Sequence, residues 1–158
     1  MVSGSYDGTL RLWQLPDGKL LRTWQEKPQA GILTWIEGVT ISPDGQTLIA
    51  GVSYTMKLWN LHTGTLIRTL DIGSNAPTVF QKRVTTTAVS PNGQVLASGT
   101  AQGTLQLWDL HTGGLLRTVS AHQTRIHSLV FSTDGKTLSS GSDDGSIKIW
   151  LVEQLLSL

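Results

Sequence analysis

An all-β chain built from repeated short hairpins is the fold class this sequence predicts, and three observations carry it. The runs LRLW, MKLW, LQLW and IKIW end at Trp13, Trp59, Trp108 and Trp150, placing four of the six tryptophans in one column spaced by 46, 49 and 42 residues. Between them lie SPDG at Ser42–Gly45, SPNG at Ser90–Gly93 and STDG at Ser132–Gly135, which are Asp-Gly and Asn-Gly hairpin signals between apolar runs. No window carries a 3.6-residue apolar stripe except Val152 to Leu158, which reads as a small helical cap over the end of the last sheet.

Taken in chain order, each copy is a run of short strands joined by tight turns. Ahead of the tryptophans stand SGSYDGTLRLW, AGVSYTMKLW, SGTAQGTLQLW and SGSDDGSIKIW. After the first three come LPDGKLLRTW, LHTGTLIRTL and LHTGGLLRTV, each a second turn and another strand. Leu10 and Leu12 alternate with Arg11, and Ile147 and Ile149 with Lys148. That alternation predicts sheets with the aliphatic face buried and the Arg11 or Lys148 face wetter.

Composition narrows the function. The balance of 12 Lys plus Arg against 11 Asp plus Glu, with 15% charged residues, lacks the basic footprint of a nucleic-acid binder. With no cysteine, disulfide frameworks, thiolate catalysis and cysteine zinc sites are excluded. No stretch is apolar enough for a spanning helix and MVSGSYDGTL is not a signal peptide, so neither a membrane nor export is expected and the cytoplasm is the expected location. The four histidines, including His62 and His111 in LHTG turns and His127 on a strand, have no metal-ligand spacing. The glycine-rich strings open no helix and cannot cradle a phosphate. No cofactor or metal is expected.

These motifs, over essentially the whole chain, resemble bacterial-type repeats of the WD-repeat (WD40) family of β-propellers. The namesake dipeptide stands once, at Trp108-Asp109. The resemblance implies four-stranded blades, with strands a to d running outward from a central channel. Counted so, the chain is a single propeller segment of about three and a half blades: a partial blade over 1–25, blades over 32–71 and 83–120, and a partial blade with the C-terminal cap over 121–158. Fourteen strands do not close a ring of roughly 4–8 blades, so an open arc is expected, either a segment of a longer ring or completed by another chain.

The resemblance also implies a hydrogen-bonded set of His, Ser, Asp and Trp within a blade. The last copy carries all four as His122, Ser140, Asp144 and Trp150, while the first has Ser3, Asp7 and Trp13. The last blade is therefore expected to be the best buttressed and the others softer. Ser140, His122 and Asp144 contain the ingredients of a hydrolase triad, but all three fall in structural columns, so no catalysis is expected. Arg22, Arg68 and Arg117 recur in strand d and read as charges that guard an outer edge.

What the resemblance implies for function is a non-catalytic scaffold holding a protein or peptide on the narrow face, with Tyr6, Trp35, Arg125 and Asp143 as the expected contacts. Tyr, Trp and Arg are the usual interface anchors, although Trp35 reads equally well as a core residue. The connections Gln25 to Thr34 and Asp71 to Arg83 are longer than the family's short linker and should contribute to that face. The alternative is a half-ring subunit whose role is assembly into a closed homo-oligomer without a separate ligand.

Overall fold

The Ser-x-Asp/Asn-Gly tetrads close hairpins by one repeated scheme. Ser42 Oγ donates to Asp44 Oδ1 at 2.5 Å and accepts the Thr47 amide at 2.9 Å, while the Gln46 amide bonds Asp44 Oδ1 at 3.0 Å. Ser90 with Asn92 and Ser132 with Asp134 repeat it. Side chains that satisfy the turn's own backbone favour this bend over continued strand.

A computed structural model describes residues 1–27, 34–73 and 83–157. Their strands form four antiparallel sheets in chain order. The first holds β1 (Val2–Gly4), β2 (Thr9–Trp13) and β3 (Leu20–Gln25); the second holds β4 (Ile36–Ile41), β5 (Thr47–Val52), β6 (Thr55–Asn60) and β7 (Leu66–Asp71). The third holds β8 (Val84–Val89), β9 (Val95–Thr100), β10 (Thr104–Asp109) and β11 (Leu115–Ser120). The fourth holds β12 (Ile126–Phe131), β13 (Thr137–Ser142) and β14 (Ile147–Leu151), followed by helix α1 (Val152–Ser157). The fold is all-β, a partial propeller in which β1, β4, β8 and β12 pack successively. Among the described residues the arc is not closed.

The core lies between sheets, and each junction is built alike. Leu10 packs with Leu48 and Trp59 of the next sheet; Met56 and Leu58 pack with Leu96 and Trp108; Leu105 and Leu107 pack with Leu138 and Trp150. Because a middle sheet is covered on both flanks, β9 is buried along its whole length. Val152 and Leu155 seat α1 in the junction between the third and fourth sheets, which makes the helix part of a core rather than a lid.

The expected burial of the aliphatic face fails in β14. Ile147 is 79% and Ile149 72% exposed, and Lys148, exposed as well, reaches the preceding sheet and donates to the Ala121 carbonyl at 2.5 Å. The column repeats the reach: Lys57 Nζ pairs with Glu26 at 2.5 Å and Gln106 donates to the Ile72 carbonyl at 3.1 Å. A polar residue here ties its sheet to the one before it. Strand periodicity reports two faces; which one is covered depends on the neighbouring sheet.

The outer arginines also do something other than guard an edge. Arg22 donates to the His62 carbonyl at 3.2 Å and Arg68 to the Thr112 carbonyl, each crossing to the turn of the next sheet. Gly64 and Gly113 in those turns have φ of +79° and +76°, and a Cβ at either would run into the arginine. Arg117 stands in the same column of β11, the strand that packs against α1, and its Nε is buried without a hydrogen-bond partner among the described residues.

Candidate interaction face

The residue preceding each inner strand occupies one column, filled by Trp35, Arg83 and Arg125. Their carbonyls accept the amides of Ser53, Ala101 and Asp143, so the entrance to each inner strand is pinned to the turn after the adjacent strand. Tyr6 lies in the corresponding turn of the first sheet, between β1 and β2. All the expected contact residues therefore gather at the end of the stack where the linkers enter. Residues 28–33 and 74–82 of those linkers lie outside the described residues.

At the centre of this face sits a residue that the sequence reading passed over. Glu37, second in β4, has a side chain only 7% exposed and receives the Tyr6 hydroxyl and Arg125 Nη2, the latter at 2.9 Å. Arg83 Nε lies 2.9 Å from its other oxygen, a charge contact off the hydrogen-bond axis. One carboxylate thus collects a side chain from each of the other three sheets. Two guanidiniums facing one carboxylate leave the cluster with a net positive charge. Gly38 beside it has φ of +57°, and a Cβ there would stand 2.7 Å from the Thr86 Cα; the β4 bulge that accompanies it lets the inner strands approach closely.

Around this centre the other residues divide. Arg83 stacks 5.4 Å above the Trp35 ring, so Trp35 is half-buried against a cation rather than sunk in the core. Tyr6 is 58% exposed although its hydroxyl is bound. Asp143 pairs with His127 at 2.8 Å near the surface and does not join the Glu37 cluster. Glu37 and Arg83 carried one signal, a charged residue inside or just ahead of an inner strand; that they meet is a consequence of curvature.

The buttressing set is continuous in the fourth sheet. Trp150 Nε1 donates to Ser140 Oγ at 3.0 Å, His122 Nε2 lies 2.7 Å from that oxygen, and His122 Nδ1 lies 3.0 Å from Asp144. A carboxylate only accepts, so Nδ1 carries the proton toward Asp144; with a neutral ring the Ser140 hydroxyl donates to Nε2. The Ser146 hydroxyl first, then the Gln123 and Ser146 amides and His122, hold the Asp144 carboxyl well below the usual carboxylate range against the opposing effect of burial. Ser140 is 1% exposed and its oxygen is already shared by an indole and an imidazole, so it is not presented as a nucleophile. Shorter versions occur as Trp13 to Ser3 at 2.9 Å and Trp108 to Ser98 at 3.0 Å; Asp7, lowered chiefly by the Thr9 hydroxyl, caps its own turn.

Among the described residues no group of His, Asp and Glu is placed to hold a metal ion, and no helix is long and apolar enough to cross a membrane. The family model for the WD domain, G-beta repeat, matches residues 1–14, 18–60, 64–109 and 113–150. The chain is 33% identical over 67 residues to human (Homo sapiens) apoptotic protease-activating factor 1, covering 40% of this chain and 5% of that protein; the mouse (Mus musculus) protein gives 34% over 68 residues with the same coverage. It is 39% identical over 62 residues to nuclear distribution protein PAC1-2 of Uncinocarpus reesii, covering 39% of this chain and 12% of that protein. The chain thus spans a small fraction of the length of these relatives. It belongs to the WD-repeat family, whose repeats serve generally as protein-interaction scaffolds and are typically non-catalytic.

Proposed function

We propose that the chain is a non-catalytic platform for a protein or peptide, bound at the end of the stack that carries Tyr6, Trp35, Arg125 and Asp143, in a cytoplasmic setting. The observation that carries this reading is the Glu37 cluster: it holds an exposed tyrosine ring and an arginine-stacked tryptophan rigidly beside two guanidiniums. Rigid aromatic and arginine anchors around a fixed centre are what hot spots are made of, and the surplus positive charge favours a carboxylate-bearing segment. The blade boundaries expected above, at 32–71 and 83–120, fit this reading, because each interior blade then begins at a linker feeding the face.

Panning a displayed random-peptide library on the chain tests the proposal. Enriched peptides should be rich in Asp and Glu, lose binding on Trp35→Ala or Tyr6→Ala, and keep it on Lys136→Ala, an exposed turn residue at the opposite end. Truncating such an anchor commonly costs about 2 kcal/mol or more of binding. Peptides that bind all three variants equally would remove the face from consideration.

A further inference from the structure

Of the three hairpin tetrads that share one bonding scheme, the copy in the third sheet carries an amide where the other two carry a carboxylate. Ser42 and Ser132 donate to Asp44 and Asp134, whereas Ser90 donates to the carboxamide oxygen of Asn92 at 2.7 Å. The Gln94 amide donates to the same oxygen at 3.1 Å, and Asn92 Nδ2 donates to Gln94 Oε1 at 3.2 Å. Asn92 is exposed. Gly93 follows it with φ of +71°, and nothing stands within 4 Å of the place its Cβ would take.

A backbone nitrogen that carries no side chain beside it can close on the preceding carboxamide carbon. As the Gly93 nitrogen attacks, negative charge develops on Asn92 Oδ1, the oxygen that already accepts from the Ser90 hydroxyl and the Gln94 amide. Donors fixed where charge develops lower a barrier. The opposing cost is the bond from the Gly93 amide to the Ser90 carbonyl at 2.8 Å, which must open first. Asn60, the other asparagine among the described residues, is also bonded at Oδ1, by the His62 and Thr63 amides. Its neighbour is Leu61, half-buried against the core with its amide held by the Gln46 carbonyl, so the same closure is blocked there.

We propose that Asn92 is a site of spontaneous deamidation. The Gly93 nitrogen bonds to Asn92 Cγ as its proton passes to hydroxide; the Cγ–Nδ2 bond breaks, and the amide nitrogen takes a proton from water and leaves as ammonia. A second water opens the resulting succinimide. Opening at Cγ restores the main chain and leaves an aspartate, for which the turn is already built, since the same two donors hold Asp44 and Asp134. Opening at the main-chain carbonyl instead routes the chain through the side chain and breaks the turn's register. Either product adds one negative charge at the end of the stack opposite the Glu37 cluster, so the inference does not depend on what that cluster binds.

Peptide mapping by mass spectrometry of the folded chain, aged at mildly alkaline pH, tests this, with the chain in urea as the reference for an unshielded Asn-Gly pair. The expected result is conversion of Asn92 in the folded chain, faster as pH rises, with ammonia released and Asn60 intact. A folded chain that keeps Asn92 while the urea-unfolded chain loses it overturns the proposal, because the turn then shields the site; equal loss at Asn60 does so as well. Ser90→Ala should slow the reaction about fivefold, the worth of one hydrogen bond, and Ser90→Thr should restore it. A faster reaction in Ser90→Ala would mean that the hydroxyl only stiffens the turn and would remove its assigned part. Asn92→Asp should melt no lower than the parent chain; a lower melting temperature would contradict a turn that accepts the product.

Discussion

The third and fourth sheets share a strand plan and reverse each other's strengths. The fourth has the complete His122, Ser140, Trp150 and Asp144 set, yet leaves Ile147 and Ile149 in water. The third has only the Ser98 to Trp108 bond and Gln102 in the Asp column, yet its middle strands are buried on both sides. Completing a hydrogen-bond network contributes about 1–3 kcal/mol, whereas full burial of one Ile or Leu side chain contributes about 1.5–3 kcal/mol. Two such residues outweigh the network. In a stack of sheets, stability is shared across interfaces, and the best-wired unit need not be the firmest. On this ground we expect the third sheet, rather than the best-buttressed last one, to be the firmest.

Substitutions in matched columns sharpen the contrast. Leu105→Ala should cost about 4 kcal/mol in urea unfolding, against less than about 0.5 kcal/mol for Ile147→Ala in dilute solution, because only the first opens a cavity. Similar losses at both would show that the fourth sheet's flank is covered even in the isolated chain. Glu37→Ala should cost about 3 kcal/mol by leaving Arg83 and Arg125 without their counter-charge. A neutral outcome would reduce the cluster to surface decoration. His122→Ala should cost about 2 kcal/mol, and Ser98→Ala about 1 kcal/mol, in the same assay; the reverse ranking would show that the imidazole adds nothing to the Ser and Trp pair.

The smallest effect is on acid stability. Asp7, Asp44, Asp109, Asp134 and Asp144 all have folded pKa values below the ordinary one, because hydroxyls and amides of their own turns bond the carboxylate. Their contribution is present above the unfolded value of about 3.9 and is lost as pH falls below it. The melting temperature should therefore fall on acidification below about pH 4, and less steeply in Asp144→Asn. An equally steep fall in that variant would locate the acid sensitivity elsewhere.

What could be read from the sequence was what is local or repeated. The turns at Ser42, Ser90 and Ser132 and the Ser140 and Trp150 pair follow from residues fixed in register along a hairpin, so columns suffice to find them. Tyr6 and Arg125 could be placed on one face by column, but their meeting at Glu37 joins residues 31 and 88 positions apart, and only the curvature of the stack brings them together. The uncovered isoleucines of β14 were illegible for a different reason. Isoleucine alternating with lysine has the same pattern whether the covering sheet lies on one side or the other.

Amide hydrogen exchange in dilute solution, resolved by strand, tests most directly whether neighbouring sheets, rather than the network within a sheet, set stability. The amides of β9 and β10 should exchange slowest, and those of β14 that bond β13 should exchange faster despite Trp150 and Ser140 lying in their midst. If the β14 amides prove as slow as those of β10 in a chain shown to be monomeric, the hydrogen-bonded set outweighs flank burial and the account is wrong.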